Sequence, residues 1–267
     1  DDSYPLIMMK GAPEKVFDMC KFYLSEGSSS IQSVNEEFKK RFHDVYAELG
    51  SNGLRVIAFA GRRMKASETY NDRGSIKYDD LSFYGLLGLQ DPPKAGIKET
   101  VAKIKGAGIN MSMITGDHPI TAEAIARQVG IISVSHERVL RHIDDFNLQS
   151  QNFESAVIHG EMIENFTDEH WDRLILLKEI VLARTQPKHK LDIVKKFQEY
   201  GHVVAVSGDG ANDSPALKTA DLGISMNLTA SDVSKEAADM ILLDDNFNTI
   251  LIGIAEGRVK KENLKKS

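Results

Sequence analysis

From residue 81 onward, short apolar runs alternate with amphipathic stretches, and this strict alternation limits the fold more than any other feature of the sequence. Strands read at Leu81–Leu89, Asn110–Ile114, Ala156–His159, Ile180–Ala183, Val203–Ser207, Leu222–Ser225 and Met240–Leu243. Helices read at Ile97–Gly106, Ile120–Val129, Thr167–Leu177, Pro187–Tyr200, Ser214–Ala220 and Asn248–Gly257. The strands lack polar alternation, so both of their faces must be covered. That predicts a doubly wound, mostly parallel α/β sheet. Ligands of such sheets sit beyond the carboxyl ends of the strands.

The part ahead of residue 81 has a looser, α+β rhythm. LIMMK (Leu6 to Lys10) and LRVIAFA (Leu54 to Ala60) read as strands, and a helix opens near Pro13, where proline is tolerated. NEEFKKRFHDVYAELG places Phe38, Phe42, Val45 and Leu49 on one helical face and is expected to close at Gly50. SEGSSS (Ser25 to Ser30) and the polar run Ala66 to Asp80 read as loops. Pro92–Pro93 reads as a stiff joint near the change of rhythm.

A hydrophobic share of 42% supports a sizeable core and argues against disorder. The net charge of −6 argues against a general nucleic-acid binder. Cys20 is the sole cysteine, so no internal disulfide can form. No apolar run approaches the roughly 18–20 residues needed to cross a bilayer, and the first residues lack a signal-peptide pattern.

Chemistry concentrates at three predicted strand ends. The first is MITGDHP, where Thr115, Gly116 and Asp117 precede a helix whose amino end carries about half a positive charge and suits a phosphate. An ordinary N-cap explains the same residues. The second is ARTQPKHK, where Arg184 is followed by Lys190 in the first turn of a helix. A cation there opposes the dipole, which points to an anion nearby. The third is GDGANDSPAL. Asp209 and Asp213 are four residues apart and can face one point, as a magnesium ion with phosphate and water ligands requires. Asn212 can donate to a phosphoryl oxygen without adding charge, and Gly208 and Gly210 permit close backbone approach. Together these groups suit phosphoryl transfer with Mg2+, by positioning and charge neutralisation. No Walker loop occurs.

KGAPE, DPPK, TGDHPIT, ARTQPKHK and GDGANDSPAL, in this order, resemble the cytoplasmic part of a P-type cation ATPase. The likeness runs from Leu6 to Ser267. NEEFKKRFHDVYAELGSNGLRVIAF, SDVSKEAADMILLDDNFNTI and NLKKS are most similar to the sodium/potassium and proton/potassium branch. The resemblance implies a fragment. Residues 1–80 would be the C-terminal part of a nucleotide-binding (N) domain. Residues 81–258 would be a phosphorylation (P) domain of haloacid-dehalogenase-like fold, lacking its first strand. Residues 259–267 would approach a membrane helix. It implies Mg2+ and ATP as cofactors, with Lys10 and Arg55 contacting ATP and Asp91 at a hinge. Thr115 and Gly116 would hold phosphoryl oxygens, Asp117 would lie near the ribose and Arg184 near the nucleotide. Lys190 and Asn212 would bind the phosphoryl group, Asp209 would ligate magnesium, and Asp213 would share in that site. In the parent it implies monovalent cation transport, a β-subunit partner, and a place on the cytoplasmic side of the plasma membrane.

Three departures stand out. Lys94 replaces the family's usual arginine, which keeps the charge and loses the planar fork. MNLTASD (Met226 to Asp232) replaces a glycine-containing stretch. The family's nucleophile is an aspartate in Asp-Lys-Thr-Gly-Thr, and no Asp-Lys dipeptide occurs in the sequence, so the chain itself is expected not to form an acyl phosphate. Two competing readings are a truncated nucleotide- or partner-binding product and a dehalogenase-type phosphatase.

Overall fold

The structure, a computed structural model, describes residues 4–25, 30–68, 76–147 and 152–266. The chain divides into two compact units, residues 1–92 and 93–267.

The first unit runs β1 (Leu6–Gly11), α1 (Pro13–Asp18), β2 (Cys20–Leu24), β3 (Ile31–Ser33), α2 (Glu36–Ser51), β4 (Arg55–Arg63) and β5 (Leu81–Leu89). Its sheet has the order β1-β4-β5-β2-β3, antiparallel except where β5 lies parallel to β2. Val56, Ala58 and Ala60 of β4 are buried, and the residues between them are more exposed, so helices cover one face of the sheet. The core there is aromatic. Phe17 and Phe42 stack at 3.9 Å, and Phe83 stands edge-on to both, at 5.4 and 5.5 Å. Cys20 lies in this core, and burial pushes its thiol up to about 12.

Three sequence expectations change in this unit. Leu81–Leu89, read as the opening strand of the alternating region, pairs with β4 and β2 and completes the first sheet, so the boundary falls between Pro92 and Pro93. The buried face of α2 uses Phe42 and Tyr46, with Val45 turned outward at 38% exposure. The helix runs past Gly50, which is buried, and is closed by Gly53, whose φ of 75° is the left-handed conformation a C-terminal cap needs. Much of the SEGSSS run (26–29) and of the 66–80 run (69–75) lies outside the described residues.

The second unit runs α3 (Ile97–Gly106), β6 (Met111–Ile114), α4 (Pro119–Gln128), β7 (Val139–Leu140), β8 (Ser155–His159), α5 (Gly160–Ile163), α6 (Asp168–Leu176), β9 (Glu179–Ala183), α7 (Pro187–Glu199), β10 (Ala205–Ser207), α8 (Ser214–Thr219), β11 (Leu222–Met226), α9 (Asp232–Ala237), β12 (Met240–Leu242) and α10 (Thr249–Lys266). Every strand pair in it is parallel. Successive residues of β8 and β9 enter different cores. Ala156, Ile158, Ile180 and Leu182 pack with Trp171, Leu174 and Ile193 of α6 and α7. Val157, Val181 and Ala183 pack with Val101, Ala122 and Ala126 of α3 and α4. This is the double covering that the apolar strands require.

The strands do not join into one sheet. They form a four-stranded sheet, β6-β9-β8-β7, and a three-stranded sheet, β10-β11-β12. Strands β6 and β10 are therefore edges, because no described strand bridges them. Helix α10 continues past Gly257 to Lys266, so residues 259–266 extend that helix.

An ion-pair knot closes the first unit. The Arg62 side chain, 8% exposed, meets Glu68 at 2.5 Å and Asp80 at 2.7 Å. The Arg62 hydrogen bond, then the Lys65 amide, hold the Glu68 carboxyl at about 2. A depressed carboxyl stabilises the fold fully above its unfolded value, and that stabilisation is lost as pH falls through the folded value. Wild-type stability, followed by thermal melting, is expected to drop between about pH 4.5 and about pH 2. Glu68→Gln is expected to be less stable at neutral pH and to show a shallower acid slope.

Candidate functional site

The sequence-predicted residues fall into two groups, one in each unit. In the first unit, Lys10 of β1 lies directly opposite Phe59 of β4, so the two share a face. Arg55 is four residues before Phe59 on the same strand and points to that face, about 13 Å along it from the Lys10 pair. Ile57↔Leu87 and Arg55↔Leu89 are facing pairs. This is the sheet face opposite the helices. Leu6, Met8, Leu87 and Leu89 remain 43–59% exposed on it. An open apolar floor with Lys10 midway along it and Arg55 toward one end suits a flat, anionic ligand.

In the second unit, the turns after β6 and β9 are laced together. The Thr115 amide donates to Leu182 O at 2.9 Å, and Thr115 O accepts from both the amide and the hydroxyl of Thr185, each at 3.0 Å. The Arg184 amide donates to Asp117 O at 2.9 Å. Thr115 Oγ1 accepts from the Asp117 amide at 3.1 Å, which leaves its proton free to donate. The helix cap expected of Thr115 or Asp117 is instead His118, whose Nδ1 accepts from the Ile120 amide at 3.3 Å. Gly116 is exposed at the tip.

Arg184 holds a left-handed backbone, with φ of 52°. A side chain there costs about 1–2 kcal/mol, and such strain concentrates where a backbone must present groups to a ligand. Gly160 makes room for it: a Cβ at 160 would come within 2.5 Å of Arg184 O. Gly160 and Thr185 were not singled out in the sequence. Thr185 sits inside the ARTQP run, but its buried, backbone-directed hydroxyl becomes visible only once β6 and β9 are neighbours.

The turn after β10 carries the carboxylates. Lys190 Nζ, in the first turn of α7, contacts Asp213 Oδ1 at 2.5 Å. Asp213 is thus an anion that offsets the lysine's unfavourable place in the helix dipole. The Gly210 amide faces Asp213 Oδ2 at 3.3 Å. Asp209 and Asn212 are exposed beside this pair, and Asp209 O accepts from the Ser231 amide at 2.9 Å and the Ser234 hydroxyl at 3.2 Å. Gly208 allows the fold of the turn, since a Cβ there would stand 2.6 Å from the Asp213 Cβ.

No group of three or more His, Cys, Asp or Glu among the described residues is placed to hold a metal by itself. Magnesium does not need one, because it takes one or two carboxylates and fills its octahedron with water and phosphate. The exposed Asp209 carboxylate, backed by the lysine-held Asp213, fits that pattern. No helix among the described residues is long and apolar enough to cross a membrane.

Gly208→Ala is expected to destabilise the second unit by about 1–3 kcal/mol, through overpacking against Asp213. Gly106→Ala, where a Cβ meets nothing within 4 Å, is expected to stabilise by about 0.4–1 kcal/mol. Urea unfolding of the two variants checks both signs.

Residues 1–96 match the family model described as P-type ATPase, cytoplasmic domain N. The whole chain is 44% identical over 279 residues to the sodium/potassium-transporting ATPase subunit alpha-3 of Homo sapiens. It is 45% identical over 278 residues to the sodium/potassium-transporting ATPase subunit alpha of Tetronarce californica, and 43% identical over 279 residues to that of Drosophila melanogaster. In each case it spans 27% of the relative's length. Along its whole length the chain is similar to about a quarter of the length of the sodium/potassium-transporting ATPase α-subunits, and its first 96 residues match the P-type ATPase cytoplasmic domain N.

Proposed function

We propose that this chain is the ATP-binding and phosphoryl-handling part of a P-type cation-transporting ATPase. In the parent protein, hydrolysis of ATP would be coupled to transport of monovalent cations, with a β-subunit as partner. The observation that carries the reading is the lysine–aspartate pair, Lys190 and Asp213, in the same turn as an exposed aspartate and an exposed asparagine, after a parallel strand. On this reading residues 93–258 correspond to a haloacid-dehalogenase-like P domain.

Each residue then has a task that its own geometry permits. Lys10 and Arg55 neutralise the phosphates of ATP over the apolar floor of the first sheet, and within the second unit Asp117 and Arg184 serve as nucleotide contacts. Thr115 donates its free hydroxyl proton, and Gly116 its amide, to phosphoryl oxygens. Asn212 donates from its side-chain amide. Lys190 supplies a point charge already aimed by Asp213, so little reorganisation is needed when charge develops. Asp209 and Asp213 hold Mg2+, which would neutralise phosphoryl charge when bound. The phosphoryl acceptor of the family motif is not among the 267 residues, which contain no Asp-Lys dipeptide.

Two measurements test the reading. Nucleotide binding by the chain, followed by backbone amide shifts, is expected on β1, β4 and β5. Lys10→Ala or Arg55→Ala is expected to weaken it about tenfold, the scale of one charge-assisted hydrogen bond. Binding indifferent to both substitutions would remove the first-sheet site. With Mg2+ and γ-labelled ATP, no hydroxylamine-labile acyl phosphate is expected after an acid quench. Label on this chain would show that one of its own aspartates is the acceptor.

A further inference from the structure

The loop bonded to the Asp209 turn is itself held by a residue distant in sequence. Asp245 is 7% exposed and has a left-handed φ of 50°. Its carboxylate accepts three consecutive backbone amides: Asn227 at 2.6 Å and Leu228 at 2.8 Å on Oδ1, and Thr229 at 2.7 Å on Oδ2. Those amides belong to the loop that leaves β11, which pairs with β10, the strand leading into the Asp209 turn. Two residues on, the Ser231 amide and the fully buried Ser234 hydroxyl both bind Asp209 O. At the other end, Lys94 Nζ donates to Asp245 O at 3.1 Å. The same turn is tied to α3 by Asn248, which meets the Thr100 hydroxyl, and Gly96 leaves room for it, since a Cβ there would stand 2.9 Å from Asn248 Nδ2.

We infer that Asp245 is a positioning residue for the Asp209 turn, and that Lys94, just after the Pro92–Pro93 joint, is anchored to the same knot. This rests on the reading of Asp209 as a magnesium ligand. A carboxylate is suited to the task because it accepts without donating, so it can take three N–H groups at once. An asparagine keeps the size and tolerates the left-handed backbone, but it offers one acceptor oxygen and brings two donors against amides that need acceptors. Burial opposes ionisation of Asp245. The Leu228 amide, the Thr229 hydroxyl and the remaining amides outweigh it and hold the carboxyl below the usual range.

The test uses the full chain labelled with 15N and titrated with Mn2+, a paramagnetic substitute that accepts the same oxygen ligands as magnesium. Broadening of the Gly208 and Gly210 amides reports the ion at the turn, with Mg2+ competition as a check. Asp209→Asn is expected to abolish the broadening. Asp245→Asn is expected to weaken it about tenfold while leaving Asp209 in place. Asp221→Asn serves as the comparison. It removes a carboxylate that binds the Val204 amide at 2.8 Å, at the opposite end of the same strand pair. It is expected to lower the melting temperature without changing the broadening. Broadening that survives Asp209→Asn overturns the metal reading itself. Broadening lost in Asp209→Asn but unchanged in Asp245→Asn overturns the inference alone. Equal weakening by Asp245→Asn and Asp221→Asn also overturns it, since the effect would then be one of general stability.

Discussion

The charged turn of the second unit is organised around the 2.5 Å contact between Lys190 and Asp213. Asp209 and Asp213 stand four residues apart in one turn, where two carboxylates without a cation would repel. Lys190 removes that conflict by committing one oxygen of Asp213 to an ammonium, and the Gly210 amide faces the other. Both side chains are partly buried, at 20% and 14% exposure. The pair therefore gives up hydration, and it contributes little to stability unless its geometry is good and its remaining atoms are bonded. Its main effect is to fix where the charges sit. Asp209 is left as the exposed carboxylate of the turn.

Two residues other than glycine hold left-handed backbones, Arg184 and Asp245 among the described residues, and both follow strands of the parallel sheets. Each conformation costs on the order of 1 kcal/mol or more, and the surrounding bonds show what holds it. Around Arg184 the bonds from its amide to Asp117 and from Thr185 to Thr115 lock two strand ends together, and Gly160 yields the space. At Asp245 three amides fill the carboxylate. In both places a strained residue joins segments distant in sequence, so the strain is spent on relative position rather than on local structure.

The parallel strands were legible because burial on both faces leaves unbroken apolar runs, and the runs at residues 180–183 and 222–225 fall within observed strands. Leu81–Leu89 carries a similarly apolar sequence, yet it pairs antiparallel with β4. Apolarity reports burial and says nothing of the partner, and the partner is set by long-range register. The division into two sheets was hidden for the same reason. Among the candidate residues, those carried by dense local motifs could be singled out from sequence: Thr115, Lys190, Asp209 and Asp213 all lie at strand ends or helix starts. Asp245 was not, because Asp-Asp-Asn reads as an ordinary turn, and its three amide partners come from 16 to 18 residues earlier in the chain. Val45 failed for a narrower cause. A helical face drawn from spacing alone is wider than the strip that the Phe17–Phe42–Phe83 cluster covers.

The geometry at Lys94 also changes what its substitution means. From the sequence, a lysine in place of the family's usual arginine removes a planar fork and suggests a weaker contact. A fork is needed where two acceptor oxygens lie side by side, as in a carboxylate or phosphate. Here the side chain reaches a single carbonyl oxygen, that of Asp245, at 3.1 Å. One donor on a flexible stem meets that demand. The carbonyl lies on the residue whose carboxylate is already filled by backbone amides, so a second charge-matched contact there has no vacant oxygen to find. The lysine is therefore sufficient for the contact this knot offers, and the specificity of the knot resides in Asp245 and its backbone partners rather than in the shape of the cation.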